Sequence, residues 1–88
     1  MDDQPKIIKK VSPVYPDEAK RQGISGTVVL EVIISEQGLA SDIKAVKGDK
    51  LLVPAAIDAL KQWIWEPGTI RGKPYPFLTT VSIRFNMK

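Results

Sequence analysis

At 88 residues with 43% hydrophobic side chains, the chain can build one modest core and one domain, near the small end of what folds alone. It contains no cysteine and no histidine, which excludes disulfides, thiolate chemistry, His-ligated metal centres and Ser-His-Asp catalysis. Its 13 basic and 10 acidic side chains leave a net charge of +3, and it has no run of about 18 apolar residues to span a membrane.

The opening "MDDQPK" has neither the charged nor the apolar region of a signal peptide; if the protein works outside the cytoplasm, the segment that takes it there is missing from this chain. Residues 1–12 read as an extended polar arm or linker remnant, followed by one domain over 13–88. The stretch "SPVYPDEAKRQG" predicts a helix of about two turns. Pro16 suits its first position, Asp17 and Glu18 suit the N-terminal end of the helix dipole, and Lys20 and Arg21 the C-terminal end. Gly23 stands where a left-handed cap would stop it. So short a helix needs tertiary support, for which Tyr15, Ala19 and Ile24 are the expected anchors.

"GTVVLEVIISEQG" predicts a central strand. Val28, Leu30, Val32 and Ile34 share one face and Thr27, Val29, Glu31, Ile33 and Ser35 the other, with β-branched residues on both. "SEQG" reads as a hairpin loop with Gly38 at positive φ. In the return strand, "LASDIKAVK", Ala40, Ile43 and Ala45 share a face only if a bulge falls near Ser41 or Asp42. Residues 49–63 predict a second helix, with Pro54 in its first turn and Leu52, Ala56, Ala59, Leu60 and Trp63 along one face. "EPG" ends it, and "RGKP" is turn chemistry. Trp63 reads as core, whereas Trp65 either leans on the sheet edge or is partly exposed. A third strand is expected from Phe77 to Asn86, with Thr79, Val81, Ile83 and Phe85 inward and Leu78, Thr80, Ser82 and Arg84 outward.

The tight hairpin makes the first two strands antiparallel, and the helical crossover brings the third beside the first, in the order 2-1-3. Both helices then cover one face. The fold class is α+β: a three-stranded antiparallel sheet with two helices packed on one face.

In order along the chain stand Tyr15-Pro16, Ala19, Gly23, Gly26 with Val28, Gly38, Ala56, Ala59, Trp63, Glu66-Pro67 and a closing strand ending "VSIRF". Over residues 12–86 this set resembles the C-terminal domain of the TonB energy-transducer family. The resemblance implies the same fold and a non-enzymatic periplasmic module without cofactor or metal. An N-terminal transmembrane anchor, outside this chain, would engage an inner-membrane proton-channel complex. The C-terminal domain would grip the TonB box, a short N-terminal segment of an outer-membrane receptor, and drive import of siderophores, cobalamin or sugars. The family's best-studied members carry a Gln linked to box recognition just before Tyr-Pro, where this chain has Val14.

Physics supplies a mechanism that does not depend on those side chains. In the order 2-1-3 the third strand is an edge, and an extended peptide can add there through main-chain hydrogen bonds. The candidate partner-binding residues are therefore Leu78, Thr79, Thr80, Val81, Ser82, Ile83, Arg84 and Phe85, joined through the resemblance by Val14 and Tyr15. The same edge could instead face water, lie under the N-terminal arm, or pair with a second copy to give a homodimer, by strand exchange in one form. Other classes are a TonB-like domain of an envelope signalling or TolA-like bridging protein and a basic nucleic-acid-binding module. The last is disfavoured, because the clusters Lys6, Lys9, Lys10 and Lys44, Lys47, Lys50 contain no interleaved aromatic. Glu31 is the one acid of interest to catalysis, and a solvated or paired role suits it better.

Overall fold

The computed structural model describes residues 2–86; Met1, Met87 and Lys88, at the ends of the expected arm and domain, lie outside the described residues. The elements in chain order are β1 (Lys6–Lys9), α1 (Asp17–Arg21), β2 (Gly26–Ile34), β3 (Ala40–Lys47), α2 (Val53–Lys61), β4 (Ile64–Glu66), β5 (Thr69–Ile70), β6 (Lys73–Pro74) and β7 (Phe77–Phe85). The main sheet is antiparallel in the order β3-β2-β7, which is the expected 2-1-3.

The period-2 pattern of β2 becomes its burial pattern. Val28, Leu30, Val32 and Ile34 are fully buried against Ala19 of α1 and Leu52, Ala56 and Leu60 on and beside α2, with Val81, Ile83 and Phe85 of β7 beside them. Each such aliphatic side chain contributes about 1.5–3 kcal/mol on burial, so this layer is the main source of stability. On the opposite face of the sheet Val29, Glu31 and Ile33 are half-buried, and Leu78, at its outer margin, is 67% exposed.

The bulge falls at Asp42. The β2–β3 register skips it between Val32↔Ile43 and Ile33↔Ser41, its φ is 40°, and Ala40, Ile43 and Ala45 come to one face. At the hairpin, the Gly38 N–H bonds the Ser35 carbonyl at 2.9 Å and Gly38 takes φ 80°.

Both helices are shorter than their sequence patterns. Pro16 is the N-cap of α1 rather than its first residue, because its ψ of 138° keeps it extended while its carbonyl accepts from Lys20 N–H. Gly23 follows at φ 68°, as the cap pattern requires. The predicted start of α2 at residue 49 moves to Val53, because Asp49 instead organises a turn. Its side chain accepts from Leu51 N–H at 2.8 Å and its carbonyl from Leu52 and Val53 N–H.

Three pairings add to the expected architecture. The arm pairs through β1 with β4, Ile7 lying opposite Trp65 and Lys6 opposite Glu66. Residues 69–74 form a two-residue hairpin, β5–β6, around Arg71 (φ 54°) and Gly72 (φ 78°). Asp3 bridges to Thr69 through two backbone hydrogen bonds of 3.0 and 2.8 Å, tying the start of the arm to that hairpin.

Candidate functional site

The outer edge of β7 is the candidate site. Its inner edge makes nine consecutive pairs with β2, from Gly26↔Phe85 to Ile34↔Phe77, with no shift of register. No described strand pairs with its outer edge. Every second backbone N–H and C=O of an edge strand points away from the sheet, so a straight run of residues offers a ladder half-built.

Two adjoining concavities run along that edge. One, of about 470 Å³, lies between the arm at Lys6, Ile7 and Lys10 and β7 at Thr79–Ser82, with Trp63 and Trp65 in its wall. The other, of about 190 Å³, continues past Lys10 and Val11 to Ile83 and Arg84. The arm therefore flanks the edge across a channel without bonding to it; its backbone partner is β4.

The two tryptophans hold this arrangement. Trp63 and Trp65 are 6% and 5% exposed, with ring centroids 6.0 Å apart, while Ile64 between them is 41% exposed. Trp63 Nε1–H donates to the Val11 carbonyl at 2.9 Å and anchors the arm. Trp65 is thus a buried wall residue, resolving the two alternatives left by its position. The alternation Trp63-Ile64-Trp65-Glu66, buried and exposed in turn, is a strand signal at the end of a helix, and it is the signal that would have found β4. Gly38 locks β4 to the hairpin: Trp65 N–H donates to its carbonyl at 2.9 Å, and a Cβ on Gly38 would lie 2.0 Å from the Trp65 carbonyl oxygen.

Of the candidate residues, Leu78, Thr80, Ser82 and Arg84 are exposed, Val81, Ile83 and Phe85 are buried in the core, and Thr79 is intermediate. Tyr15 reaches the end of β7: its ring meets Phe85 edge-on, centroids 5.5 Å apart at 87°, and its hydroxyl donates to the Ile24 carbonyl. Val14, 82% exposed, does not join the channel; with Ser12 and Pro13 it faces α2 across a separate groove of about 540 Å³. Glu31 pairs with Thr80 on one side and Lys44 on the other and does not itself line the channel. Among the described residues no three His, Cys, Asp or Glu side chains stand close enough to hold a metal, and no helix is long and apolar enough to cross a membrane.

The profile of the family described as "Gram-negative bacterial TonB protein C-terminal" matches residues 11–87. The chain belongs to the TonB C-terminal family. Among TonB relatives, Protein TonB of Vibrio cholerae serotype O1 is 32% identical over 98% of this chain, and Protein tonB2 of Pseudomonas aeruginosa is 35% identical over 86% of it. The chain spans 36% and 29% of those two proteins' lengths. The solution NMR structure of the Pseudomonas aeruginosa TonB CTD matches with a TM-score of 0.78 at 25% identity, over 97% of this chain and 88% of that one. Two helices on an antiparallel sheet are thus the TonB C-terminal fold in this chain.

Proposed function

We propose that this chain is the receptor-gripping domain of a TonB-type energy transducer, and that an N-terminal segment of an outer-membrane receptor adds to the outer edge of β7 as a fourth strand. The observation that carries this reading is the uninterrupted edge from Leu78 to Phe85, which no described strand pairs, beside a channel. Main-chain hydrogen bonds hold the peptide, so the grip tolerates receptors of different sequence. Pull along the strand then loads the whole ladder at once, a geometry suited to transmitting force. Tyr15, packed on Phe85, braces one end of β7 and has no direct contact with the peptide in this scheme.

The domain works in the periplasm of a Gram-negative bacterium. An anchor outside this chain couples it to an inner-membrane proton-channel complex and so to import of substrates such as siderophores. The domain catalyses no reaction; it binds and transmits force. A second copy of the chain is the competing occupant of the same edge, and the two compete for one ladder.

Titrating synthetic receptor N-terminal peptides into isotope-labelled protein tests the site. Amide shifts should concentrate in residues 78–85 and the facing arm. Binding with those residues silent would remove β7 from the mechanism.

A further inference from the structure

We propose that the arm is a tension-released strap: lying along the channel it retains a strand added to β7, and a pull from its N-terminal side strips it away and lets that strand go. This rests on the reading above, both for strand addition and for an anchor upstream of the domain. The attachments of the strap deepen inward. Outermost is a clasp on the β5–β6 hairpin, where the Asp2 carboxylate accepts from Arg71 N–H at 2.8 Å and Asp3 exchanges backbone bonds of 3.0 and 2.8 Å with Thr69. Next comes the β1–β4 ladder, which breaks register at Ile8, itself 65% exposed. Innermost is Val11, which packs against the core and accepts the Trp63 indole N–H at 2.9 Å.

Burial separates the strap from the body of the domain. From residue 2 to residue 10 nothing is buried and only Pro5 is half-buried, whereas in β2 Val28, Leu30, Val32 and Ile34 are fully buried. Backbone hydrogen bonds with no buried side chains behind them open at much lower free energy than those of a core. A pull applied ahead of Asp2 therefore meets the clasp first, then the ladder, and no anchorage in the core before Val11. The same segment closes the channel, because Pro5, Lys6, Ile7 and Lys10 face Thr79–Ser82 across it. A strand on the β7 edge lies between the two, with its outer side chains against Ile7 and the aliphatic stems of the lysines. Stripping the strap removes that wall and leaves the β7 ladder, so the strand leaves faster from an unchanged site.

The test locks the clasp. The chain has no cysteine, so the double variant Asp3→Cys, Thr69→Cys carries a single pair. Residues that exchange both backbone bonds have Cα atoms about 5.5 Å apart, within reach of a disulfide. Oxidised and reduced forms of this one protein compare a fixed strap with a free one. Asp3→Pro, which lacks a clasp donor, gives a loosened strap with the core untouched. The probe is a dye-labelled synthetic copy of an outer-membrane receptor's N-terminal segment, and it should shift the β7 amides of every form. It should dissociate about fivefold more slowly from the oxidised form than from the reduced one, and fastest from Asp3→Pro. With the probe tethered and the chain pulled through its N-terminal residue, the oxidised complex should outlast the reduced one by a wider margin than without load. Equal dissociation rates with β7 shifts intact would overturn the strap and leave strand addition standing. A margin that fails to widen under load would overturn release by tension. Binding by the reduced form alone would make the arm a barrier and overturn retention. Silence of β7 in every form would overturn strand addition and the strap together.

Discussion

The sheet has two edges, β3 and β7, and they are built differently. β3 breaks register with β2 twice, between Val29 and Leu30 and between Val32 and Ile33, and carries Asp42 at φ 40° together with exposed Lys44 and Lys47. Bulges and lysines are devices that stop an edge from recruiting another strand. β7 has neither over nine paired residues; its one edge lysine-like charge is Arg84, near the end, and prolines stop at Pro76, before it begins. One edge is blunted and the other kept straight beside a channel. That asymmetry, more than any side chain, is what supports the proposed addition of a partner strand at β7.

The largest expected effect comes from removing the wall that supports the open edge. Trp63→Ala deletes a buried indole and the Val11 anchor of the arm, and should cost about 3–5 kcal/mol, most of the stability of so small a domain. A melting temperature within a few degrees of the parent would mean that the β7 side is not held by this residue. Gly38→Ala strikes the hairpin that closes the β3 side. Its φ of 80° and the 2.0 Å approach to the Trp65 carbonyl should together cost about 3 kcal/mol in chemical denaturation. Gly26, at φ 140° with open space around it, should lose only the backbone part, about 1 kcal/mol.

The comparison of edges is attacked directly by proline. Placed at whichever of Thr80 or Val81 turns its N–H away from β2, proline should weaken receptor-peptide binding by more than about tenfold, since it deletes a donor and obstructs the ladder. The same substitution at an outward-donating residue of β3 should leave binding within twofold. Loss of binding from the β3 variant, with its fold intact, would reverse the assignment of the two edges. The smallest effects belong to the exposed side chains: Thr80→Ala and Ser82→Ala should each change affinity by about twofold or less, because backbone bonds dominate.

Much of this was legible in the sequence, because it depends on local periods. The two-sided apolar pattern of β2, the alternation of β7, the Asp42 bulge and the α2 stripe all follow from spacing within one segment. The channel was not legible. Its near wall is an arm whose partner, β4, is a three-residue strand more than fifty residues away. The first lysine cluster has no aromatic neighbour in sequence, yet folding sets Lys10 over Trp63. Trp65 was ambiguous because a three-residue strand directly after a helix reads as helix end or turn until its pairing is known.

Hydrogen exchange in the peptide-bound state tests the central claim most directly. In the free chain the outward-pointing amides of β7 have no backbone partner among the described residues and should exchange rapidly. On binding a receptor N-terminal peptide, alternate amides between Leu78 and Phe85 should slow markedly while those on the outer edge of β3, residues 40–47, stay fast. Protection appearing on β3, or saturating binding with every outward amide of β7 still fast, would contradict strand addition at this edge.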